Sequence, residues 1–242
     1  MKSNHVKKAF NQAADQYDAS CALQLNTGLT LIDLLKNYCT NSTNILDAGC
    51  GTGIITKELA ARFQYKTFYA IDIADQLLAH AKEKLNPFNI HVELADYNDL
   101  PNVLFDMIYA NLSLHWSDNF GKTLVSMHSK LNENGMLAFS MPLLGTFEEI
   151  KNDCSINTFH ELMQIEKHIL DAGFNIIHMK TQEIIFAFDN ALKALRSIKS
   201  VGADYVAEKN RNISFKKMRK FIQSNNNLFT LSYRIGYFIV KK

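Results

Sequence analysis

Residues 44–53, NILDAGCGTG, constrain the fold of this chain more than any other stretch, because a short apolar run stops there at an acidic residue and a glycine-rich turn. The apolar run has the composition of a buried strand, and residues 54–63, which follow the turn, have the pattern of a helix. Glycine at alternate positions lets a ligand approach the backbone, since no Cβ is present. The stretch therefore predicts a strand, a ligand-binding loop and a helix N-terminus.

The spacing of the glycines distinguishes between two kinds of cofactor. The dinucleotide fingerprint G-x-G-x-x-G would need its third glycine at position 54, which is Ile54. The turn instead has Gly49, Gly51 and Gly53 after Asp47, and an acidic residue at the strand end suits a cofactor with a cationic amino-acid group. An ordinary strand-to-helix turn is the alternative. The eight residues LDAGCGTG resemble motif I of the class I S-adenosylmethionine-dependent methyltransferases.

Composition bounds the remaining possibilities. A chain of 242 residues with 47% hydrophobic content is long enough for a substantial core. The four cysteines lack C-x-x-C spacing, which predicts neither a zinc cluster nor a disulfide scaffold and favours a reducing cytoplasm. No apolar run approaches the roughly 20 residues that span a bilayer. The net charge of +2 is too small to argue for nucleic acid. We expect a soluble cytoplasmic protein with no metal, membrane or nucleic-acid partner.

Predicted strands and helices alternate after the glycine turn. Strands are predicted at residues 67–72, 90–95, 105–110 and 135–141, with helices at 75–85 and 118–131. Helices at 3–17 and 23–38 precede the first strand. The last part has a helix at 158–172, a bent strand at 174–188, inserted helices at 190–200 and 214–223, and a strand at 229–240. Alternation predicts an α/β fold with a parallel sheet and ligands at the carboxyl ends of its strands.

With motif I, this order implies a class I methyltransferase (Rossmann-like) fold. Its sheet has seven strands and is mostly parallel, and the last strand is antiparallel. We expect a single domain over residues 1–242, with a helical lid at 1–40, a core that binds S-adenosylmethionine at 41–142 and a substrate-side half at 143–242. A helical insert at about 189–227 should roof the substrate pocket.

Polar residues stand where the predicted strands stop. Asp72 ends the second strand, where a carboxylate can accept hydrogen bonds from both hydroxyls of a ribose. Asp96 follows the third strand and can accept a hydrogen bond from an adenine amino group while Tyr97 packs nearby. Asn111 follows the fourth strand. The predicted cofactor-binding residues are Asp47, Gly49, Gly51, Gly53, Asp72, Ile73, Asp96, Tyr97 and Asn111.

Two further patterns concern histidines. Residues 160–164, HELMQ, match the zinc motif H-E-x-x-H except at Gln164, so no metal site is predicted there. His115 stands beside Trp116 at the expected mouth of the pocket, where it either packs as a structural residue or contacts substrate.

Three peripheral stretches resemble a narrower family. They are AFNQAADQYD at 9–18, NLSLHW at 111–116 and FDNALKALRSIKSVGA at 188–203, with a closing LSYR at 231–234. All look like the malonyl-acyl-carrier-protein O-methyltransferases of biotin synthesis. The resemblance runs nearly end to end, and LRSIKSVGA is its most discriminating part. The chain departs from the family at His115, where many members have glutamine.

The resemblance implies methyl transfer to the free carboxylate of a malonyl thioester on acyl carrier protein. A carboxylate is already ionised at neutral pH, so a cation that orients it matters more than a base. We expect Arg196 to hold this carboxylate, with Lys199 one helical turn away and Tyr17 closing over it; His115 is a fourth candidate. The stretch expected to receive the acidic carrier protein, unless it is only a solvated helix face, comprises Lys209, Arg211, Lys216, Lys217, Arg219 and Lys220.

Other functions remain open at the level of sequence. A carboxyl methyltransferase of another small acid, such as trans-aconitate, would share the cofactor half without needing a basic docking face. A methyltransferase-like assembly factor that hydroxylates a protein arginine also resembles this chain. A non-catalytic binding module is the third alternative, although the complete set of strand-end residues argues against it.

Overall fold

The computed structural model describes residues 2–39, 43–97, 99–203 and 215–242, without the side chains of residues 2, 3, 215 and 216. The helices are α1 (Lys2–Ser20), α2 (Ala22–Leu35), α3 (Ile54–Arg62), α4 (Asp75–Leu85), α5 (Phe120–Ser129), α6 (Leu162–Asp171), α7 (Ala191–Ser200) and α8 (Phe215–Ser224). The strands are β1 (Asn44–Ala48), β2 (Thr67–Asp72), β3 (His91–Leu94), β4 (Phe105–Asn111), β5 (Leu131–Pro142), β6 (Asn175–Phe188) and β7 (Phe229–Lys241). A short 3-10 turn, Leu114–Trp116, follows β4.

The strands form one seven-stranded sheet in the order β3-β2-β1-β4-β5-β7-β6. The first five strands of this order are parallel, whereas β7 lies between β5 and β6 and is antiparallel to both. The predicted mostly parallel sheet with an antiparallel last strand is therefore confirmed. Because β1 to β5 run in the same direction, their carboxyl ends lie at one edge of the sheet.

Apolar layers cover both faces of the sheet. Central strands β1 and β4 are almost wholly buried, which explains why their sequences are nearly continuous apolar runs. Ile45 packs in one layer with Leu31 of α2, and its neighbour Leu46 packs in the other layer with Ile169 of α6. Burying each such side chain stabilises the fold by about 1.5–3 kcal/mol. The loops at the strand ends are thus supported by a sheet that is packed on both faces.

Several element boundaries differ from the predicted ones. β5 begins four residues earlier than predicted, so that Asn134, with a φ of 64°, lies inside this strand. α6 begins four residues later than predicted, because Glu161 and Gln164 form a capping box at its N-terminus. The HELMQ stretch is thus a helix start. The predicted strand at 174–188 is irregular between Ile176 and His178.

Helix α1 lies against α4 through a row of polar contacts. Lys7 Nζ lies 2.8 Å from Asp75 Oδ1, and Lys84 Nζ lies 2.6 Å from Asp18 Oδ2. Thr52, in the glycine-rich turn, donates a hydrogen bond to the other oxygen of Asp18. These contacts place α1 over the carboxyl edge of the sheet. Among the described helices, none has the length and apolar character that crossing a bilayer requires.

Candidate active site

Backbone hydrogen bonds hold the glycine turn against the next strand. The Gly49 amide donates to the Ile71 carbonyl at 2.8 Å, and the Gly51 amide donates to Asp72 Oδ2 at 2.9 Å. A Cβ on Gly49, whose φ is 88°, would lie 2.4 Å from Ser113 Cβ. Only glycine fits this position without displacing Ser113. The turn is therefore held by main-chain contacts, and its outer surface carries few side chains.

A cavity of about 250 Å³, the first cavity, opens beside this turn. It lies where the strand order reverses, between β1 with β2 on one side and β4 on the other, which is where α/β sheets bind ligands. Seven of the nine predicted cofactor-binding residues line it: Gly49, Gly51, Asp72, Ile73, Asp96, Tyr97 and Asn111. The structure thus brings residues from four separate strand ends into one space.

Two backbone amides fix the Asp72 carboxylate in the first cavity. Oδ1 accepts a hydrogen bond from the Ala74 amide, and Oδ2 accepts one from the Gly51 amide, both at 2.9 Å. Burial raises the pKa of Asp72, and the amide hydrogen bonds oppose that rise. A carboxylate held in this way has lone pairs left for a ligand, and the paired hydroxyls of a ribose match them.

Asp47 and Gly53, the other two residues of the predicted cofactor set, do not line the first cavity. Asp47 is 2% exposed, and its Oδ2 accepts a hydrogen bond from Thr56 Oγ1 at 2.7 Å. Burial raises the pKa of Asp47 to about 7, with the Thr56 bond opposing the rise and Asp72 adding to it. Gly53 is the N-cap residue of α3 with a φ of 76°, and a Cβ there would lie 3.0 Å from Leu85 Cδ1. Both residues shape the turn from inside the protein.

A second cavity, of about 690 Å³, adjoins the first. Phe10, Tyr17, Leu112 and Trp116 line both cavities and form the wall between them. Much of the remaining lining is apolar and comes from the loop after β5, from α7 and from β7: Phe147, Ile150, Phe159, Leu195, Ile198 and Ile235. Such a lining excludes water from a group that is brought up to the wall.

Tyr17 places the wall directly over the glycine turn. Its ring and hydroxyl atoms lie 3.7–3.8 Å from the position that a Cβ on Gly51 would occupy. Burial raises the pKa of the Tyr17 hydroxyl, and the Asp72 carboxylate raises it further. The phenol therefore keeps its proton at neutral pH, so it can donate a hydrogen bond but cannot act as a base.

The other predicted substrate residues lie in different places. His115 lines the second cavity, where its ring centroid lies 4.7 Å from that of Trp116. Lys199, exposed on α7, lines the second cavity as well. Arg196 lines neither cavity and instead faces a surface groove between α1 and α7. The structure therefore separates Arg196 from the wall at which Tyr17 lies.

The basic stretch is described only in part. Lys217, Arg219 and Lys220 are exposed on α8, and Lys217 Nζ lies 3.9 Å from Asp153 Oδ1. Lys209, Arg211 and the side chain of Lys216 lie outside the described residues.

Sequence reasoning missed several residues that complete the cavities. Phe10 and Trp116 meet edge to face at 5.7 Å, and they belong to the motif stretches without having been assigned a role. Asn119 and Lys122, at the start of α5, also line the first cavity, and Tyr233 of β7 lines the second. The one signal available for α5 was its place after β4, since loops at that edge of the sheet contact ligands.

Comparisons with known proteins bear on the family. A family described as a methyltransferase domain matches residues 45–135. Malonyl-[acyl-carrier protein] O-methyltransferase 2 of Coxiella burnetii is 39% identical over 240 residues, which cover 98% of this chain and 95% of that protein. Malonyl-[acyl-carrier protein] O-methyltransferase of Buchnera aphidicola is 30% identical over 247 residues, which cover 97% of each.

Solved structures share the fold. The N-methyltransferase NodS of Bradyrhizobium japonicum, in complex with S-adenosyl-L-homocysteine, matches 89% of this chain and 85% of its own, with a TM-score of 0.59 and 12% identity. The YcgJ protein of Bacillus subtilis matches 88% of this chain and 97% of its own, with a TM-score of 0.61 and 14% identity. The sequence relatives show more than the fold: the chain belongs to the malonyl-acyl-carrier-protein O-methyltransferase family.

Proposed function

We propose that this chain transfers a methyl group from S-adenosylmethionine to the free carboxylate of a malonyl thioester on acyl carrier protein. The product is the malonyl methyl ester that primes biotin synthesis. The observation that carries the proposal is the wall shared by the two cavities. A donor in the first cavity and an acceptor in the second meet there, and alignment is the main requirement of an in-line displacement. The names of the relatives supply the acceptor.

The lining of the first cavity fits S-adenosylmethionine. When bound, this cofactor supplies an activated methyl group on a sulfonium. Gly49 and Gly51 leave the backbone open to it, Asp72 offers a fixed carboxylate to its ribose, and Asp96 and Tyr97 stand at the next strand end for its adenine. The Asn111 side chain instead donates a hydrogen bond to the Gln24 carbonyl and accepts one from Ser140 Oγ. It therefore holds the end of β4 against α2 and β5.

On the acceptor side, this chain binds and orients a group that is already reactive. A malonyl carboxylate is ionised at neutral pH, and no proton has to be removed from it. Lys199 provides a cation at the second cavity, and the neutral Tyr17 hydroxyl can donate a hydrogen bond at the wall. We therefore assign the orientation of the carboxylate to Lys199 and Tyr17 rather than to Arg196, because Arg196 lies outside both cavities. His115, which also lines the second cavity, can contact the thioester.

An acidic carrier protein suits the exposed cations of α8, Lys217, Arg219 and Lys220, together with the basic residues before them. We place the reaction in the cytoplasm, where the four buried cysteines would stay reduced. In this arrangement residues 1–40 act as the lid, residues 41–142 bind the cofactor and residues 143–242 bind the acyl chain within a single domain.

Mass spectrometry of malonyl carrier protein after incubation with labelled S-adenosylmethionine tests the proposal. We expect the carrier to gain one labelled methyl group, and we expect an esterase to remove it. The unloaded carrier protein and the Gly49→Ala variant are the controls, and neither should yield product. A carrier that gains no methyl group while trans-aconitate does would overturn the malonyl assignment, and an oxygenated product would point to the hydroxylase alternative.

A further inference from the structure

A polar groove runs along the outside of α7, where this helix faces α1. Its volume is about 680 Å³, and we call it the α1–α7 groove. Gln12 and Gln16 line it from α1, and Lys193, Arg196 and Lys199 line it from α7. Spacings of three residues place these three cations along one side of the helix. Among the described residues that line the groove, none is an aspartate or a glutamate, so the groove favours an anion.

Two of the three cations are available to a ligand. Lys193 forms an ion pair with Asp189, which precedes α7. Within the described ranges, neither Arg196 nor Lys199 forms an ion pair with a carboxylate, and both side chains are exposed. The hydroxyls of Ser197 and Ser200 donate to carbonyls within α7, so they do not compete for the cations. Arg196, which lines the groove alone, can therefore bind an anionic group there while Lys199 stays available to the second cavity.

The α1–α7 groove adjoins the second cavity at Lys199. Lys199 lines both spaces, while Arg196 lines only the groove. An elongated ligand with an apolar body and an anionic end would therefore meet linings of matching chemistry on either side of Lys199. The two spaces differ in the same way, because the cavity has a mainly apolar lining and the groove has a cationic one.

We infer that the α1–α7 groove binds the phosphodiester of a phosphopantetheine arm, with Arg196 as its main ligand. This inference rests on the proposed function, in which the arm brings a thioester into the second cavity. A phosphodiester is an anion at the protein end of that arm, and a guanidinium binds phosphate oxygens in a fixed plane. Lys199 links the two spaces, and Gln12 and Gln16 add amide donors from α1. The same groove would accept the arm from any carrier.

Two substrates that differ only in the phosphate test this assignment. Malonyl-phosphopantetheine has the phosphate, and malonyl-pantetheine lacks it. We expect Arg196→Ala to raise KM about fivefold for the first and to leave the second unchanged, since an exposed ion pair contributes about 1 kcal/mol. Arg196→Lys should recover part of the loss. Lys167→Ala, which removes a cation from exposed α6, is the matched control and should change neither KM.

Equal effects on both substrates, or no effect on either, would overturn the inference, because Arg196 would then act on the malonyl group or on nothing. Calorimetric titration with phosphopantetheine, without any acyl group, provides a second measurement that does not depend on turnover. The wild-type protein should bind it about fivefold more tightly than Arg196→Ala does. If that difference appears while no methyl ester forms, the groove assignment stands and the proposed reaction fails. If the two proteins bind equally, the groove assignment fails.

Discussion

Asp47, the last residue but one of β1, is buried in the protein and does not line the first cavity. It is almost fully buried, and its one described side-chain partner is the Thr56 hydroxyl. Burial disfavours the ionised carboxylate, and the hydrogen bond from Thr56 offsets only part of this effect. The pKa of Asp47 therefore rises to about 7. Asp106, near the surface, behaves in the opposite way: burial acts to raise its pKa, but hydrogen bonds from Thr43, Asn44 and Asn132 hold it below its usual value.

Asp47 should make the ligand-free protein less stable as pH rises from about 4 to about 7. In that window the folded protein keeps a proton on Asp47 that the unfolded chain has lost, so the free energy of unfolding falls with rising pH. We expect Asp47→Asn to be more stable than the wild type by about 2–4 kcal/mol at pH 8, and equally stable near pH 4. Urea unfolding at both pH values measures this difference.

Asp106→Asn serves as the control with the opposite sign, because its carboxylate stabilises the folded state when ionised. This variant should be less stable than the wild type at pH 8 and should approach it at pH 3. An Asp47→Asn protein that unfolds more easily than the wild type at pH 8 would show that Asp47 is ionised in the fold and favourably paired.

At the scale of elements, α1 covers the cavities through contacts that differ in strength. Ala14 and Tyr17 pack with Leu77 of α4 and with Val201, which follows α7, in a small apolar cluster. The rest of the α1–α4 contact consists of exposed or half-exposed polar pairs, including Asp18 with Lys84. Exposed pairs each contribute only about 0–1 kcal/mol, so α1 can open at lower cost than the sheet can. Such opening would admit the cofactor beneath Tyr17.

Removing one of these pairs should loosen α1 without unfolding the sheet. We expect Asp18→Asn to speed amide hydrogen exchange in α1 about two- to fivefold, because it weakens the Lys84 contact, and to leave exchange in β1 and β4 unchanged. Asp171→Asn, which breaks a similar pair with Lys167 on α6, is the control. Faster exchange throughout the sheet would mean that α1 and the sheet open as one unit.

The whole molecule joins two halves of the chain around one site. Residues of the first cavity come from α1, from the strand ends of β1, β2, β3 and β4 and from the start of α5, whereas the second cavity is completed by α7 and β7 from the last quarter of the chain. β7 lies inside the sheet, and its Phe238 stacks on Phe139 of β5 at 4.7 Å. A ligand in the first cavity therefore touches α1 and the sheet at once.

S-adenosylhomocysteine, the demethylated cofactor, should stabilise the whole molecule. At about 100 times its dissociation constant, binding to the folded state alone adds about 2.7 kcal/mol, which raises Tm by about 5–10 °C for a chain of this size. Gly49→Ala should lose this shift, because its added Cβ would meet Ser113 beside the cavity. An equal shift in Gly49→Ala would show that the ligand binds elsewhere.

The sequence by itself determined the elements and the edge of the sheet at which ligands bind. The period of apolar residues identifies strands and helices, and the carboxyl ends of parallel strands must share an edge, so the pattern alone is enough to place Asp72, Asp96 and Asn111 together. The glycine turn can also be predicted from the sequence alone, because its need for glycine depends on the local backbone conformation.

Only the tertiary structure decided which way individual side chains point. Arg196 and Lys199 are one turn apart on α7, yet the position of α1 against that helix leaves Arg196 in the α1–α7 groove and puts Lys199 at the second cavity as well. Asp47 matches motif I in sequence, but the path of α3 brings the Thr56 hydroxyl to its carboxylate. A local pattern specifies which residue stands at a position, whereas its partners come from elements distant in the chain. The choice between cavity, groove and interior was therefore made by packing.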